Sequence, residues 1–310
     1  MSGGRRALAL LCLAALAACG ERRAERPDFP PDLAWSFLVQ QVAFGPRYAG
    51  HRGHEAELAW LAEQMGMRAD SVVLQPFTDT VADGGAVKLA NVLARWHPDS
   101  ANRVLLVAHW DTRRRAESSR DSLDRRRPVP GANDGAAPTA VLVALAELFK
   151  QQPPPVGVDL LLADGDDFGP GADDLYLGTR RYLASLQGPK PRYAVVLDLV
   201  GERNAKFPRE GASLRAAPRL VDRVWTIARQ LDLDTVFVAD SVPPVPDERV
   251  RLLGAAGIPA VLVTDPQYGA ANRFQHSVDD VVALLDRETL WAVGEVLAEV
   301  VYRGMPEERR

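Results

Sequence analysis

Cysteine is nearly absent from this chain: Cys12 and Cys19 are the only two, and both lie near the N-terminus. Removal of the leader described below takes Cys12 with it. The single thiol left cannot build a disulfide framework, and it leaves the fold without a cysteine nucleophile. A surplus of positive charge is missing too. Lys and Arg total 37 against 41 Asp and Glu, a formal net charge of -4. No stretch mixes basic and aromatic residues as a nucleic-acid surface requires, so no nucleic-acid partner is expected. Internal repeats are also lacking, and long apolar runs are confined to one place.

That place is Ala7 to Ala18, ALALLCLAALAA, preceded by Arg5 and Arg6 and followed by Cys19. The run is too short to span a bilayer as a mature helix and has the form of an export leader. Its ending, LAAC, resembles a bacterial lipobox, whose cysteine becomes the lipidated N-terminus after cleavage. The alternative is an ordinary secretion signal cut after Ala18. The expected organisation is a signal peptide over residues 1–18 and a lipid-attached tether over 19–31, with the Pro-rich ERRAERPDFPP at its end. A single catalytic domain over 32–305 follows. The domain is expected outside the cell or in the periplasm, held to a bacterial membrane by lipid on Cys19, and monomeric.

At 310 residues, 47% hydrophobic and 25% charged, the chain has the composition of a globular protein with one large domain or two small ones. Short apolar runs alternate with helical patterns. VLLVA (104–108), VDLLLA (158–163), AVVLDLV (194–200) and IPAVLV (258–263) read as strands. Helical spacing marks 54–67, 135–150, 175–186, 218–231 and 287–303, and Pro138 is tolerable because it falls in a first turn. Strands that are apolar almost throughout and separated by helices predict an α/β fold. It has three layers, a largely parallel, mixed central sheet with helices on both faces. Chemistry in such sheets collects outside the carboxyl ends of the strands.

Those ends carry acids and histidines. VLLVA runs into His109-Trp110-Asp111, VDLLLA into Asp164-Gly165-Asp166-Asp167, and AVVLDLV holds Asp198. IPAVLV is followed after a loop by His276, and Asp134 stands at the start of the central helix. Each has a plain structural reading. Asp134 fits an N-cap, Ser277 with Asp280 fits a capping box, Asp198 fits a solvated strand end, and His109 fits a structural histidine. Together, two His and three Asp form the oxygen-and-nitrogen set that suits zinc. His109-x-Asp111 fits a ligand histidine steadied by a neighbouring carboxylate. A divalent cation would also offset the crowding of Asp164, Asp166 and Asp167.

With these residues in view, the chain resembles the co-catalytic zinc aminopeptidases and the related glutaminyl-peptide cyclotransferases. The matching segments, in the family's order, are QQVAFGPRYAG, VLLVAHWDT, GANDGAAPTAVLVALAEL, LLLADGDDFG, YLGTRRYLA, VVLDLVG and FQHSVDD. The resemblance implies a zinc-exopeptidase-like fold holding one or two zinc ions. It assigns His109 and Asp198 to one metal, Asp134 to a bridge, and Asp167 and His276 to the other. The single zinc of the cyclotransferases sits at Asp134, Asp167 and His276. The same resemblance implies peptide or protein N-termini as substrate.

Three departures stand out. The family's general base is a glutamate, here Asp166, with a side chain shorter by ~1.5 Å. Before GIPAV the family carries Asp-Asp-His or Ser-Asp-His, whose acid bonds near the substrate. Here the stretch reads VPDERVRLLGAAGIP, where Asp247 or Glu248 could fill the role and the histidine is missing. Cyclotransferases also line their pocket with tryptophans. The one beside the last ligand corresponds to Gln275, and the loop from Phe168 to Asp174 has none.

The first expectation is cyclisation of N-terminal glutamine with loss of ammonia, Asp166 carrying the proton. The alternative is an aminopeptidase, in which water deprotonated by Asp166 attacks the first peptide carbonyl. A further alternative is a metal- and peptide-binding domain with impaired catalysis. The Arg-rich loop 113–131 joins His109 to Asp134, so it is expected near the mouth of the site, where it would attract acidic peptides. Gly45-Pro46-Arg47 reads as a turn that sets Arg47 against the core.

Overall fold

The computed structural model describes residues 24–305 apart from Asp83 and Pro170. The leader and Cys19 therefore lie outside the described residues. Two helices, α1 (Pro31–Ala43) and α2 (Arg52–Gly66), lead into strands β1 (Ser71–Thr80), β2 (Ala86–Trp96) and β3 (Arg103–His109). Next come α3 (Ala137–Gln151), β4 (Gly157–Ala163), α4 (Leu177–Ala184) and β5 (Ala194–Leu197). A short pair, β6 (Arg209–Glu210) and β7 (Ser241–Val242), brackets α5 (Gly211–Ala216) and α6 (Pro218–Gln230). The chain then forms α7 (Arg249–Ala255), β8 (Ala260–Val263) and α8 (Arg287–Arg303).

The main sheet has six strands in the order β1-β2-β4-β3-β5-β8. β4, β3, β5 and β8 are mutually parallel, and the β1–β2 hairpin adds antiparallel to β4. This is the mixed α/β architecture the apolar runs predict. β3 and β4 are buried at every position because both faces are covered. Alternation along β3 sends Val104, Leu106 and Ala108 into the core under α1, α3 and α8, and Leu105 and Val107 into a second core on the other face. No helix among the described residues is long and apolar enough to cross a membrane.

The structure corrects the sequence reading at several points. The apolar runs do not predict the β1–β2 hairpin; β1 is an edge strand whose side chains alternate between half-buried and exposed over its second half, and an edge tolerates Pro76. β5 stops at Leu197, so Asp198 lies just past the strand end. No helix starts at Ser277, and Ser277 to Asp280 form turns instead of a capped helix start. The Pro-rich stretch expected to act as a tether is docked from Ala24 onward. Arg26 pairs with Glu295 and Glu299 of α8 at 2.6 and 3.0 Å, and the Phe29 N–H donates to Glu295 at 2.6 Å.

Candidate metal centre

The carboxyl ends of β3, β4 and β5 converge with two loops, and five predicted ligands meet there. His109 is the last residue of β3, and its Nε2 lies 3.2 Å from Asp134 Oδ1 and 3.5 Å from Asp198 Oδ1. His276 Nε2 lies 3.4 Å from Asp134 Oδ2 and 3.3 Å from Asp167 Oδ1. In each triad the donor atoms fall within 4.8 Å of one another. Zinc bonds of about 2.0–2.2 Å at tetrahedral angles separate neighbouring donors by ~3.3–3.6 Å. The separations match that edge and exceed the ~2.9 Å of an ordinary N–H···O bond. Asp134 serves both triads, one oxygen to each.

Three buried carboxylate oxygens in this cluster, Asp134 Oδ2, Asp167 Oδ2 and Asp198 Oδ1, have no hydrogen-bond partner among the described residues. Orphaned anionic oxygens are costly unless a cation takes them up. The fit to zinc rests on those orphans together with the His and carboxylate donor set.

The protein's own charges hold the cluster in shape. Burial would pull His109 down, but Asp111, Asp134 and Asp198 outweigh it and hold its pKa well above the usual imidazole range. His276 is likewise raised against burial, by Asp167 and Asp134. Burial would raise Asp167, yet His276 and Arg113 hold it far below the ordinary carboxylate range. Asp198 is lowered against burial by Arg249 and His109.

Local structure explains the convergence. Asp134 lies in a kinked turn over Ala132–Ala136, at φ -89 and ψ 87, and it does not act as an N-cap for α3. Gly135 follows at φ +109, where a Cβ would come 2.8 Å from Asp111 O, so only glycine closes that turn without strain. Asp280 clamps the turn by accepting the N–H groups of Asn133 and Asp134 at 2.7 and 3.1 Å, and the Tyr268 hydroxyl at 2.6 Å. His276 itself sits at φ +54, a conformation that the loop must enforce. The Arg-rich loop braces it: Ser118 N–H donates to His276 O, and Val278 N–H to Ser119 Oγ.

Asp111 turns out to position the β4 end more than His109. Its two oxygens accept the backbone N–H groups of Asp166 and Asp167 at 3.1 Å each. His109 Nδ1 bonds the Asp111 backbone oxygen at 3.2 Å, with the Asp111 carboxylate at 3.5 Å. Asp166 lines the cavity, and its oxygens accept the Thr179 N–H at 2.8 Å and hydroxyl at 2.5 Å. Burial pushes its pKa up to about 6, against Arg249 and Thr179, which lower it. Thr179 reaches Asp166 because Gly178 lets α4 pack close; a Cβ there would lie 2.6 Å from Asp164 N.

The acids after β4 are not all offset by one cation, as expected from sequence. Asp164 is bound by His54, whose Nε2 lies 2.9 Å from both of its oxygens. Asp166 is held by Thr179, and Asp167 alone belongs to a metal triad.

The remaining wall also departs from expectation. Asp247 lines the cavity, but Arg249 binds both of its oxygens. Glu248 is exposed, pairs with Arg251, and does not belong to the site. Arg249 reaches from α7 to Asp198 at 2.9 Å, and Arg113 donates to Asp167 Oδ1 at 3.0 Å. Sequence reasoning set Arg113 only in a loop near the mouth and missed its pairing with Asp167, as well as Arg249, Thr179 and the clamping role of Asp280. Arg47 is fully buried, as expected of its turn, and donates to the Trp110, Pro130 and Gly131 carbonyls. The two triads line a cavity of about 290 Å³ whose walls include Leu175, Tyr176, Val245 and Gln275.

This fold with these paired His and Asp triads defines a zinc-exopeptidase-like enzyme. Peptidase family M28 matches residues 91–301, and the chain belongs to that family. A solved Zn-dependent exopeptidase from Parabacteroides distasonis superposes with a TM-score of 0.85 at 31% identity, covering 90% of this chain and 99% of that one. Tannerella forsythia glutaminyl cyclase gives 0.85 at 30% identity, covering 90% and 100%. The glutaminyl-peptide cyclotransferase-like protein of Mus musculus is 27% identical over 258 residues, 73% of this chain. The match spans 63% of the mouse protein, so the chain covers less than two thirds of that relative's length.

Proposed function

We propose that this zinc enzyme cyclises the N-terminal glutamine of peptides with release of ammonia. The observation that carries the reading is the Asp134–Asp167–His276 triad, with donor separations of 3.3 and 3.4 Å to His276, at the floor of a small cavity that Asp166 lines. A cavity of about 290 Å³ lies at the low end of ligand sites and suits one terminal residue better than an extended segment. Similarity to the Tannerella forsythia glutaminyl cyclase supports the same chemistry.

Asp134, Asp167 and His276 would hold the zinc, which as a Lewis acid polarises the carbonyl under attack. The chain's own part is positioning and proton transfer. In cyclisation the α-amine nitrogen bonds to the side-chain amide carbon, the carbon–nitrogen bond to the amide nitrogen breaks, and one proton moves from the amine to the departing ammonia. Asp166 is the carrier we assign. Thr179 fixes its plane, and a raised pKa brings it nearer to the pH at which a carboxylate exchanges protons efficiently.

A second reading, hydrolysis of the first peptide bond, is favoured by one specific observation: His109, Asp134 and Asp198 form a complete second triad. The test uses zinc-loaded protein with two substrates and metal analysis. Ammonia from a glutaminyl peptide with about one zinc per chain is the expected result. Release of the N-terminal residue from aminoacyl anilides with two zincs per chain would establish the exopeptidase instead. We further propose export with a lipid on Cys19 as the anchor, a reading supported by Arg5, Arg6 and the LAAC ending.

A further inference from the structure

The segment from Ala24 to Phe29 is strapped along the second half of α8. The Ala24 N–H donates to Glu299 at 3.2 Å, and the Gln152 side chain donates to Glu25 O at 2.6 Å. The Arg26 side chain has no exposed surface and pairs with both Glu295 and Glu299. Phe29 is buried so tightly on α8 that a Cβ on Gly294 would lie 2.4 Å from its ring. Followed back from Phe29 at Glu295 to Ala24 at Glu299, the strap runs toward the C-terminus of α8. That helix spans the domain from end to end. It starts beside the metal centre, where the Asp286 N–H donates to Gly201 O at 3.1 Å. It finishes at the amino ends of the strands: the Tyr193 hydroxyl, just ahead of β5, donates to Val300 O at 3.3 Å, and the Tyr302 hydroxyl donates to Gln152 O ahead of β4. The strap therefore leaves the domain on the side opposite the cavity.

We infer that this strap sets the amino ends of the strands toward the lipid surface and turns the metal cavity away from it, so that the enzyme meets dissolved N-termini and not those lying on the membrane. The inference rests on the reading that Cys19 carries the lipid. Reach decides the orientation. Five peptide units separate Cys19 from Ala24, at most about 18 Å when fully stretched. The stretch of α8 from Asp286 to Glu299 rises about 20 Å. A tether doubling back along the helix would be used up before it drew level with the metal centre. Charge agrees with that placement, because Lys150, Lys190 and Arg192 are exposed at the amino ends, where they would face anionic headgroups. Charge alone does not choose the face, since the Arg-rich loop at the mouth is basic too; the length of the tether does.

The experiment places the full chain in vesicles of phosphatidylethanolamine and phosphatidylglycerol that carry an acceptor dye on their headgroups. A donor dye is coupled through an azide-bearing residue replacing either Leu123, 70% exposed in the loop at the mouth, or Lys150, exposed at the end of α3. Energy transfer to the bilayer is expected to be at least about 2-fold greater from position 150, given the ~20 Å between the two ends of α8. Equal transfer from both positions, or more from position 123, overturns the inference. Arg26→Glu breaks the pairs with Glu295 and Glu299 and frees the chain between Cys19 and Pro30, a reach of about 40 Å. The ratio is then expected to fall toward one, and an unchanged ratio in a folded variant overturns the role of the strap. The unsubstituted strap gives its own answer whether or not that variant folds. Intact mass reports the lipid separately. A mature chain without acyl groups refutes the anchoring reading, and the same ratio, measured after coupling Cys19 to a maleimide phospholipid, still decides the orientation.

Discussion

Replacing His54 with leucine tests how the acids after β4 are kept buried. Asp164 has no exposed surface, and among the described residues its oxygens bond His54 Nε2, at 2.9 Å each, and the Ala90 N–H at 2.7 Å. The His54 ring also stacks on Trp110 with centroids 4.5 Å apart. Leucine restores most of the apolar contact and removes the counter-charge. Stranding one member of a buried pair costs about 3–5 kcal/mol. For a chain of this size each kcal/mol moves the melting temperature by ~2 °C, so a fall of about 6–10 °C is expected. Thermal and urea unfolding of zinc-saturated protein, followed by tryptophan fluorescence, reads it. Pairing His54→Leu with Asp164→Asn removes the stranded charge and should recover at least about half of the loss. A zinc-saturated His54→Leu protein as stable as wild type would refute the reasoning, because a dication would then be the partner of Asp164.

Two further outcomes follow from the geometry. Thr179→Val keeps shape and removes the hydroxyl on Asp166, so kcat should fall by about 10-fold or more with KM little changed; steady-state kinetics checks this, and an unaltered kcat would disconnect Thr179 from the proton carrier. Asp134→Ala takes a donor from both triads and should leave almost no zinc after dialysis, whereas Asp198→Ala should keep a metal at Asp134, Asp167 and His276. Elemental analysis of the two proteins distinguishes shared from separate sites.

The sequence made some features plain and hid others for physical reasons. Strands β3, β4 and β8 and helices α3 and α8 were legible because complete burial or a single apolar stripe leaves a strong pattern. The β1–β2 hairpin was not, because its edge strand is half exposed. Ligands were recognisable from their type at strand ends. Arginines were not, since guanidinium groups usually face water; only the folded structure reveals that Arg113 and Arg249 are buried against Asp167 and Asp198. Asp280 looked like a capping residue by spacing, yet without a helix there its oxygens clamp the Asp134 turn. Glu248 was a plausible acid by position, but one residue of register separates an outward side chain from the inward Arg249.

An aspartate shared by the two triads makes them electrically interdependent as cation sites. Once one ion has drawn on the Asp134 charge, a second ion finds less attraction and more repulsion there. Stepwise affinities for two such ions would then diverge.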